Sequence, residues 1–302
     1  MTRIGITGQL GFVGYHLYQT ISLFKEEFEL VDFDRSFFND ETALDAFTSQ
    51  CDVIVHLAAL NRHNDAEVIY HTNTGLVKRL IASLERMGSN AHVIISSSTQ
   101  EESENLYGKS KREGRMALAD WAKRSGGTFT GLIIPNVYGP FGRPFHNSVV
   151  ATFCHQLAHN ETPKIEFDGQ LKLIYVGEVV DAILHTIRMN DSSAMKELAH
   201  STESKVSEIL GLLKQFKEMY QEKGEFPSLK NDFEYKLFNT FRCYMDIPAY
   251  FPRRFEQHTD NRGVFVEIAR HGIPGQTSFS TTAPGITRGN HFHTRKIERF
   301  AV

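Results

Sequence analysis

The chain has 302 residues, 41% hydrophobic and 23% charged, with a net charge of −3 when its 14 histidines are neutral. That is enough apolar material for one or two globular domains, and it lacks the basic excess expected for nucleic acid or an anionic membrane surface. The three scattered cysteines, Cys51, Cys154 and Cys243, suit a reducing compartment better than a disulfide framework. No run approaches the about 20 apolar residues that span a bilayer, and the opening MTRIGITGQLG has no signal-peptide h-region, so a cytoplasmic location is expected.

Up to Arg188 the chain alternates between two periodicities. Strands are predicted over Arg3–Thr7, Phe28–Phe33, Asp52–Leu57, His92–Ser96 and Thr128–Ile134, the last stopped by Pro135. Helices are predicted over Phe12–Phe24, with Leu17, Ile21 and Phe24 on one face, and over Val68–Met87, Leu106–Ala122, Asn147–His159 and Glu178–Arg188. Strand–helix alternation requires crossover connections, so the expected fold is α/β, a doubly wound parallel sheet of the Rossmann type. A further helix is predicted over Ser204–Gln221, and the aromatic-rich stretch Glu222–Arg253 reads as irregular structure and linker. From Phe255 the pattern changes to short strands at Val264–Ile268, Gln276–Phe279 and Gly289–His293, an all-β signature. Two units follow, residues 1–253 and 254–302.

Thr7-Gly8-Gln9-Leu10-Gly11-Phe12-Val13-Gly14 lies where the first strand turns into the first helix. In that context each glycine has a function: Gly8 for the tight turn, Gly11 for close approach to a pyrophosphate, Gly14 for packing of helix on sheet. The helix N-terminus then offers free N–H groups and a partial positive charge to phosphates. Thr7, Gly8, Gly11, Phe12, Val13 and Gly14 are therefore candidate dinucleotide contacts. TGxxGxxG resembles the extended short-chain dehydrogenase/reductase pattern, and Asp52–Ala59 (DVIVHLAA) resembles the same family's fourth-strand motif, in which Leu57, Ala58 and Ala59 would lie against the adenosine. At the end of the second strand, Val31-Asp32-Phe33-Asp34-Arg35 carries both an acidic signal for a ribose 2′-hydroxyl and an arginine for a 2′-phosphate. Arg35 points to NADPH; Asp32 or Asp34 as the ribose ligand would point to NAD.

Tyr107 and Lys111, in YxxxK on a predicted helix, share one face. An isolated phenol titrates near about 10, and a fixed ammonium with an oxidised nicotinamide is expected to lower that value. Ser96-Ser97-Ser98-Thr99 ends the preceding strand. By resemblance to the extended family, Ser98 bonds the substrate oxygen, with Ser97 or Thr99 as alternatives, Lys111 also holds the nicotinamide ribose, and Asn73 supports the lysine. Family dehydratases carry an acidic pair after the catalytic hydroxyl, whereas Thr99 and Gln100 follow Ser98 here, which disfavours a dehydratase and leaves a 4-epimerase open. Pro135–Pro140 (PNVYGP) resembles the family's sugar-nucleotide loop, which makes Asn136 and the nearby Arg143 candidate substrate contacts, the arginine as a bidentate partner for a diphosphate.

Gly285-x5-His291-x-His293-x4-Glu298 matches a first cupin motif. Alternate strand residues face the same way, so His291 and His293 would point together into a barrel, and Glu298 would complete a site for zinc or a related divalent ion. Asp260–Glu267 (DNRGVFVE) resembles the opening of cupin-type keto-deoxysugar epimerases. With the chain ending at Val302, a cupin is expected to be incomplete, its metal site partial and its epimerase function lost. A reductase of this type joined to a cupin resembles the bifunctional enzymes of capsular-polysaccharide and O-antigen synthesis. That resemblance implies a UDP-2-acetamido-2,6-dideoxy-4-hexulose as substrate, inverted at C3 by the cupin and reduced at C4 with NADPH to the L-talose form, and a homodimer built largely through the cupin. A non-enzymatic NADP-binding regulator is the remaining alternative, opposed by the intact Ser98, Tyr107 and Lys111.

Overall fold

The computed structural model describes residues 1–270 and 276–287. Six strands form one parallel sheet: β1 (Thr2–Thr7), β2 (Phe28–Val31), β3 (Val53–His56), β4 (His92–Ser98), β5 (Phe129–Ile134) and, later in the chain, β8 (Ser193–Glu197). Their spatial order is β2-β1-β3-β4-β5-β8, so the direction of winding reverses between β1 and β3. A doubly wound sheet binds ligands in the crevice beyond its strand ends at that reversal. The expected Rossmann-type sheet is present.

Helices cover both faces. α2 (Glu41–Gln50), α3 (Ala66–Arg86) and α4 (Leu106–Ser125) pack on one side, around Leu44, Phe47, Leu80, Leu84, Val93, Ile95, Leu118 and Trp121. α1 (Phe12–Ile21) and α6 (Val176–Met189) pack on the other, where Leu17, Ile21, Val179 and Ile183 meet Ile4, Ile6, Val55 and Ile94. Each large apolar side chain removed fully from water contributes about 1.5–3 kcal/mol. A third cluster forms from α5 (Val149–Ala158), α7 (Val206–Phe216) and α8 (Asp232–Arg242). These helices lie beside a small sheet of β6 (Asn136–Tyr138), β7 (Gln170–Tyr175) and β9 (Thr202–Lys205), in which β7 is central.

The differences from the sequence expectation have physical causes. α2 goes unpredicted because its ten residues hold little apolar material; Asp40 caps it by accepting from the Ala43 N–H at 3.1 Å, and Leu44 and Phe47 anchor it. The first helix ends at Ile21, with Ser22 as its C-cap, so Phe24 instead lies under the Arg188 guanidinium, 5.1 Å from the ring centroid. The stretch read as irregular contains α8, capped by Asn231; Glu234, Leu237, Phe238 and Phe241 share its buried face, and the many surrounding aromatics obscure that period. A short α9 (Ile247–Tyr250) follows. The chain then forms an antiparallel sheet of β10 (Gln257–Asp260), β11 (Gly263–Arg270) and β12 (Gln276–Ser280). Its β10 and β12 residues are exposed throughout. The strand predicted over 289–293, and with it His291, His293 and Glu298, lies outside the described residues. Among the described residues no group of three His, Cys, Asp or Glu side chains is placed to hold a metal ion, no helix is long and apolar enough to cross a membrane, and all three cysteines are free.

Candidate active site

The glycine turn connects β1 to α1. Gly8 adopts φ +83°, which only glycine takes without strain. A Cβ on Gly14 would stand 2.1 Å from the Gly8 carbonyl oxygen, so the helix can start this close to the turn only without a side chain there. α1 begins after Gly11 with no side-chain cap and no acid in its first turn. By contrast α2, α3, α4, α5 and α8 are each capped by an Asp, Asn or Ser side chain. The first-turn N–H groups of Phe12 and Val13 are thus left available for an anion. Thr7 is placed differently: it is buried, its hydroxyl 2.8 Å from His56 Nδ1 and 3.4 Å from the Ala58 N–H. It ties the turn to Leu57 and Ala58, with Ala59 next in the chain. Burial pushes the His56 imidazole down to about 3, assisted by the Lys111 charge.

At the end of β2 the two signals separate. Asp34 caps a 3₁₀ turn, accepting from the Ser36 N–H at 2.8 Å and from the Ser36 hydroxyl at 2.5 Å. Arg35 is exposed and makes no hydrogen bond or ion pair with any described residue. Its guanidinium is available for a phosphate, whereas the Asp34 carboxylate is already engaged.

The serine run ends β4. Ser97 is buried and its hydroxyl donates to Glu101. Ser98, half-buried at the strand end, accepts from the Gln100 N–H at 3.2 Å. Of the two, only Ser98 keeps some exposure. α4 starts directly against this turn. Asn105 caps it, accepting from the Gly108 N–H at 2.7 Å, and a Cβ on Gly108 would lie 1.9 Å from the Gln100 carbonyl oxygen. Gly108 therefore brings the Tyr107 end of the helix onto the Ser98 turn. Lys111 follows one helical turn later, buried and with no hydrogen bond or ion pair to any described residue. Burial lowers its pKa to about 8, opposed by Glu101. In the free protein burial pushes Tyr107 up to about 12, opposite in direction to the lowering expected with an oxidised nicotinamide beside it. Asn73 does not reach the lysine by hydrogen bond. It accepts from the Leu60 N–H at 2.7 Å and donates to the Leu60 carbonyl and the Ser110 hydroxyl, both at 3.1 Å, so it fixes the segment after β3 against α4.

Asn136 is exposed at the start of β6 and Arg143 is exposed on the following loop. Two bridges join that loop to the segment after β3. Asn147 donates to the Asn61 carbonyl at 2.7 Å, and Arg62 donates to the Phe145 and His146 carbonyls. His146 is held below its ordinary pKa by burial and by the charges of Arg143 and Arg62. Arg62 carried no signal in the sequence, since nothing local marks an arginine that binds carbonyls 83 and 84 residues away.

Residues 4–198 match the NAD dependent epimerase/dehydratase family. The chain belongs to that family. Residues 258–302 match the polysaccharide biosynthesis C-terminal domain. Over its length this family member is 29% identical to the UDP-2-acetamido-2,6-beta-L-arabino-hexul-4-ose reductase of Pseudomonas aeruginosa, an alignment covering 99% of the chain and 80% of the relative. It is also similar to the capsular polysaccharide assembling protein CapF of Staphylococcus aureus, with a TM-score of 0.81 and 30% identity over 96% of this chain and 78% of that one. RMD of Pseudomonas aeruginosa, solved with NADPH, shares the fold at a TM-score of 0.66 and 19% identity, covering 72% and 83% of the two chains. In this epimerase/dehydratase chain sequence reading also missed the roles of Gly108 and Glu101. Glu101 is hidden in an acidic run with Glu102 and Glu104 that reads as a solvated turn.

Proposed function

We propose that the chain reduces the C4 carbonyl of a UDP-linked 2-acetamido-2,6-dideoxy-hexulose with NADPH, giving a 6-deoxy-L-talosamine-type sugar nucleotide. The observation that carries this reading is Lys111. Its buried side chain makes no hydrogen bond or ion pair with any described residue and lies one turn from Tyr107, on the face of α4 that meets the Ser98 turn. A buried unpaired charge is costly and marks a place where a ligand supplies the missing contacts. The uncapped glycine turn and the small Ala58 and Ala59 fit a dinucleotide. The similarity to the Pseudomonas hexulose reductase supports the substrate class.

The glycine turn, Arg35 and Lys111 would hold NADPH, which when bound would supply the hydride for the carbonyl carbon. Ser98 donates a hydrogen bond to the carbonyl oxygen, Tyr107 delivers a proton to that oxygen as it gains charge, and Lys111 holds the nicotinamide ribose and stabilises the phenolate left behind. Asn136 and Arg143 would contact the sugar nucleotide, Arg143 through its diphosphate. Residues 1–253 form the proposed catalytic unit. Residues 254–302 form the proposed start of a cupin, with His291, His293 and Glu298 toward a divalent ion such as zinc and a role in homodimer formation; no step is assigned to it. The test is to mix the protein with NADPH and a UDP-linked 4-keto-6-deoxy-hexosamine and follow the reduced-nicotinamide absorbance. Loss of absorbance with formation of the reduced sugar nucleotide is expected. Tight cofactor binding without oxidation would overturn the reading.

Cofactor choice is tested separately. Arg35→Ala is expected to weaken NADPH binding by about 10- to 100-fold, the value of a hydrogen bond to a charged group, and to leave NADH binding unchanged. Titration by nicotinamide fluorescence measures both. Equal effects on the two cofactors would remove Arg35 from the 2′-phosphate site.

A further inference from the structure

Glu101 follows Ser98 by three residues and turns inward rather than to solvent. Its side chain is 8% exposed and that of Arg115, its partner on α4, 10%. Arg115 grips the carboxylate with both arms, Nη2 to Oε2 at 2.6 Å and Nε to Oε1 at 2.8 Å, and its Nη1 donates to the Ala194 carbonyl of β8 at 2.9 Å. The buried Ser97 hydroxyl donates to the same carboxylate. Tyr107, Lys111 and Arg115 stand at i, i+4 and i+8, on one face of α4. The pair therefore fastens the backbone just after Ser98 to the helix face that carries Tyr107 and Lys111. Gly108 sets the close approach at one end and Arg115 the other.

A buried ion pair gains little stability over an apolar pair of the same shape, because desolvation offsets the attraction. Its placement beside the reacting groups, with both partners bonded in fixed geometry, gives it a different use. We propose that Glu101 and Arg115 are positioning residues of the reductase, holding the Ser98 hydroxyl and the Tyr107–Lys111 face in the register needed for proton delivery. This rests on the reductase reading. The charge of Glu101 also bears on Lys111, whose other charged or titratable neighbour across the packing is His56 on β3. Glu101 itself feels Arg115 and Arg112 from α4. The carboxylate is thus the group that favours the Lys111 ammonium.

The experiment uses the whole chain with three variants, Glu101→Gln, Glu101→Asp and the double variant Glu101→Gln with Arg115→Met. The double variant leaves no unpaired buried charge and is the one expected to fold if the single one does not. Folding is followed by circular dichroism, NADPH binding by fluorescence across pH, and turnover with the UDP-linked 4-keto-6-deoxy-hexosamine. We expect NADPH affinity at neutral pH within about threefold of wild type, kcat lowered by about tenfold or more with little change in the sugar KM, and partial recovery in Glu101→Asp. We also expect the alkaline loss of NADPH binding to move to lower pH once the carboxylate is gone. A folded double variant with wild-type kcat and an unmoved pH limb would overturn the proposal. If the wild-type protein itself does not reduce the sugar, the reductase reading fails, and the NADPH pH limb alone decides: an unmoved limb overturns the role of Glu101, a moved one keeps it as the group that maintains the lysine charge.

Discussion

Tyr107→Phe is expected to lower kcat by about 10²–10⁴-fold while NADPH affinity stays within a few-fold of wild type. The substitution removes one oxygen from a half-buried side chain and leaves the ring, the Asn105 cap and the Gly108 contact with Gln100 in place. The loss is then the loss of a proton donor at the carbonyl oxygen, not of the fold. The ionisation of the site gives the prediction a second arm. Tyr107 is pushed up to about 12 by burial, so its proton is present at all ordinary pH values, which is the form that reduction requires. Lys111 is lowered to about 8, so it loses its proton first. Reduction is expected to be flat below about 8 and to fall above it, as the ammonium proposed to hold the ribose and stabilise the phenolate disappears. A pH profile of kcat/KM, together with single-turnover rates for Tyr107→Phe, tests both arms. Unchanged turnover in the variant would sink the assignment of Tyr107. An alkaline limit close to that of the tyrosine instead of the lysine would sink the assignment of Lys111.

The parts of this architecture that were legible in the sequence are those fixed by local patterns. TGQLGFVG, DVIVHLAA and YGKSK each lie within one strand–turn–helix segment, and the parallel sheet follows from the alternation that links them. Polar or long-range features were not legible. The strand β8, SAMKE, has too little apolar periodicity to be read as a strand, and it is held by pairing with β5. α8 was obscured by its own aromatics. Glu101 was obscured by acidic neighbours, because the arginine that draws it inward is 14 residues away. Arg62 is the same case at greater range. The serine assignment needed the structure in another way: the run offers adjacent hydroxyls, and only alternation on β4 separates Ser97, which turns to the α4 side and bonds Glu101, from Ser98. What each side chain is already bonded to likewise separates Asp34, engaged with Ser36, from the exposed Arg35 and Asp32.

Gly14→Ala is expected to weaken NADPH binding by about 10²-fold or more and to destabilise the protein by about 1–3 kcal/mol, a cost typical of overpacking. The added Cβ would lie 2.1 Å from the Gly8 carbonyl oxygen and 2.9 Å from both the Gly8 carbonyl carbon and Gln9 Cα. All three are backbone atoms of the turn, so no rotamer change relieves the contact. Either α1 retreats from β1 or the turn reshapes, and in both cases the first-turn N–H groups leave the positions proposed to receive a pyrophosphate. Gly211, exposed in α7, is the control. Nothing lies within 4 Å of the Cβ it would gain, and Gly211→Ala is expected to stabilise by about 0.5–1 kcal/mol by reducing the freedom of the unfolded chain, with no effect on cofactor affinity. Thermal unfolding and NADPH titration of the two variants separate the readings. If Gly14→Ala loses stability but binds NADPH normally, the glycine serves only to pack helix on sheet. If it loses binding well beyond its loss of stability, the turn is the phosphate cradle, because a helix displaced by that contact gives up the alignment of its amides before it gives up its core.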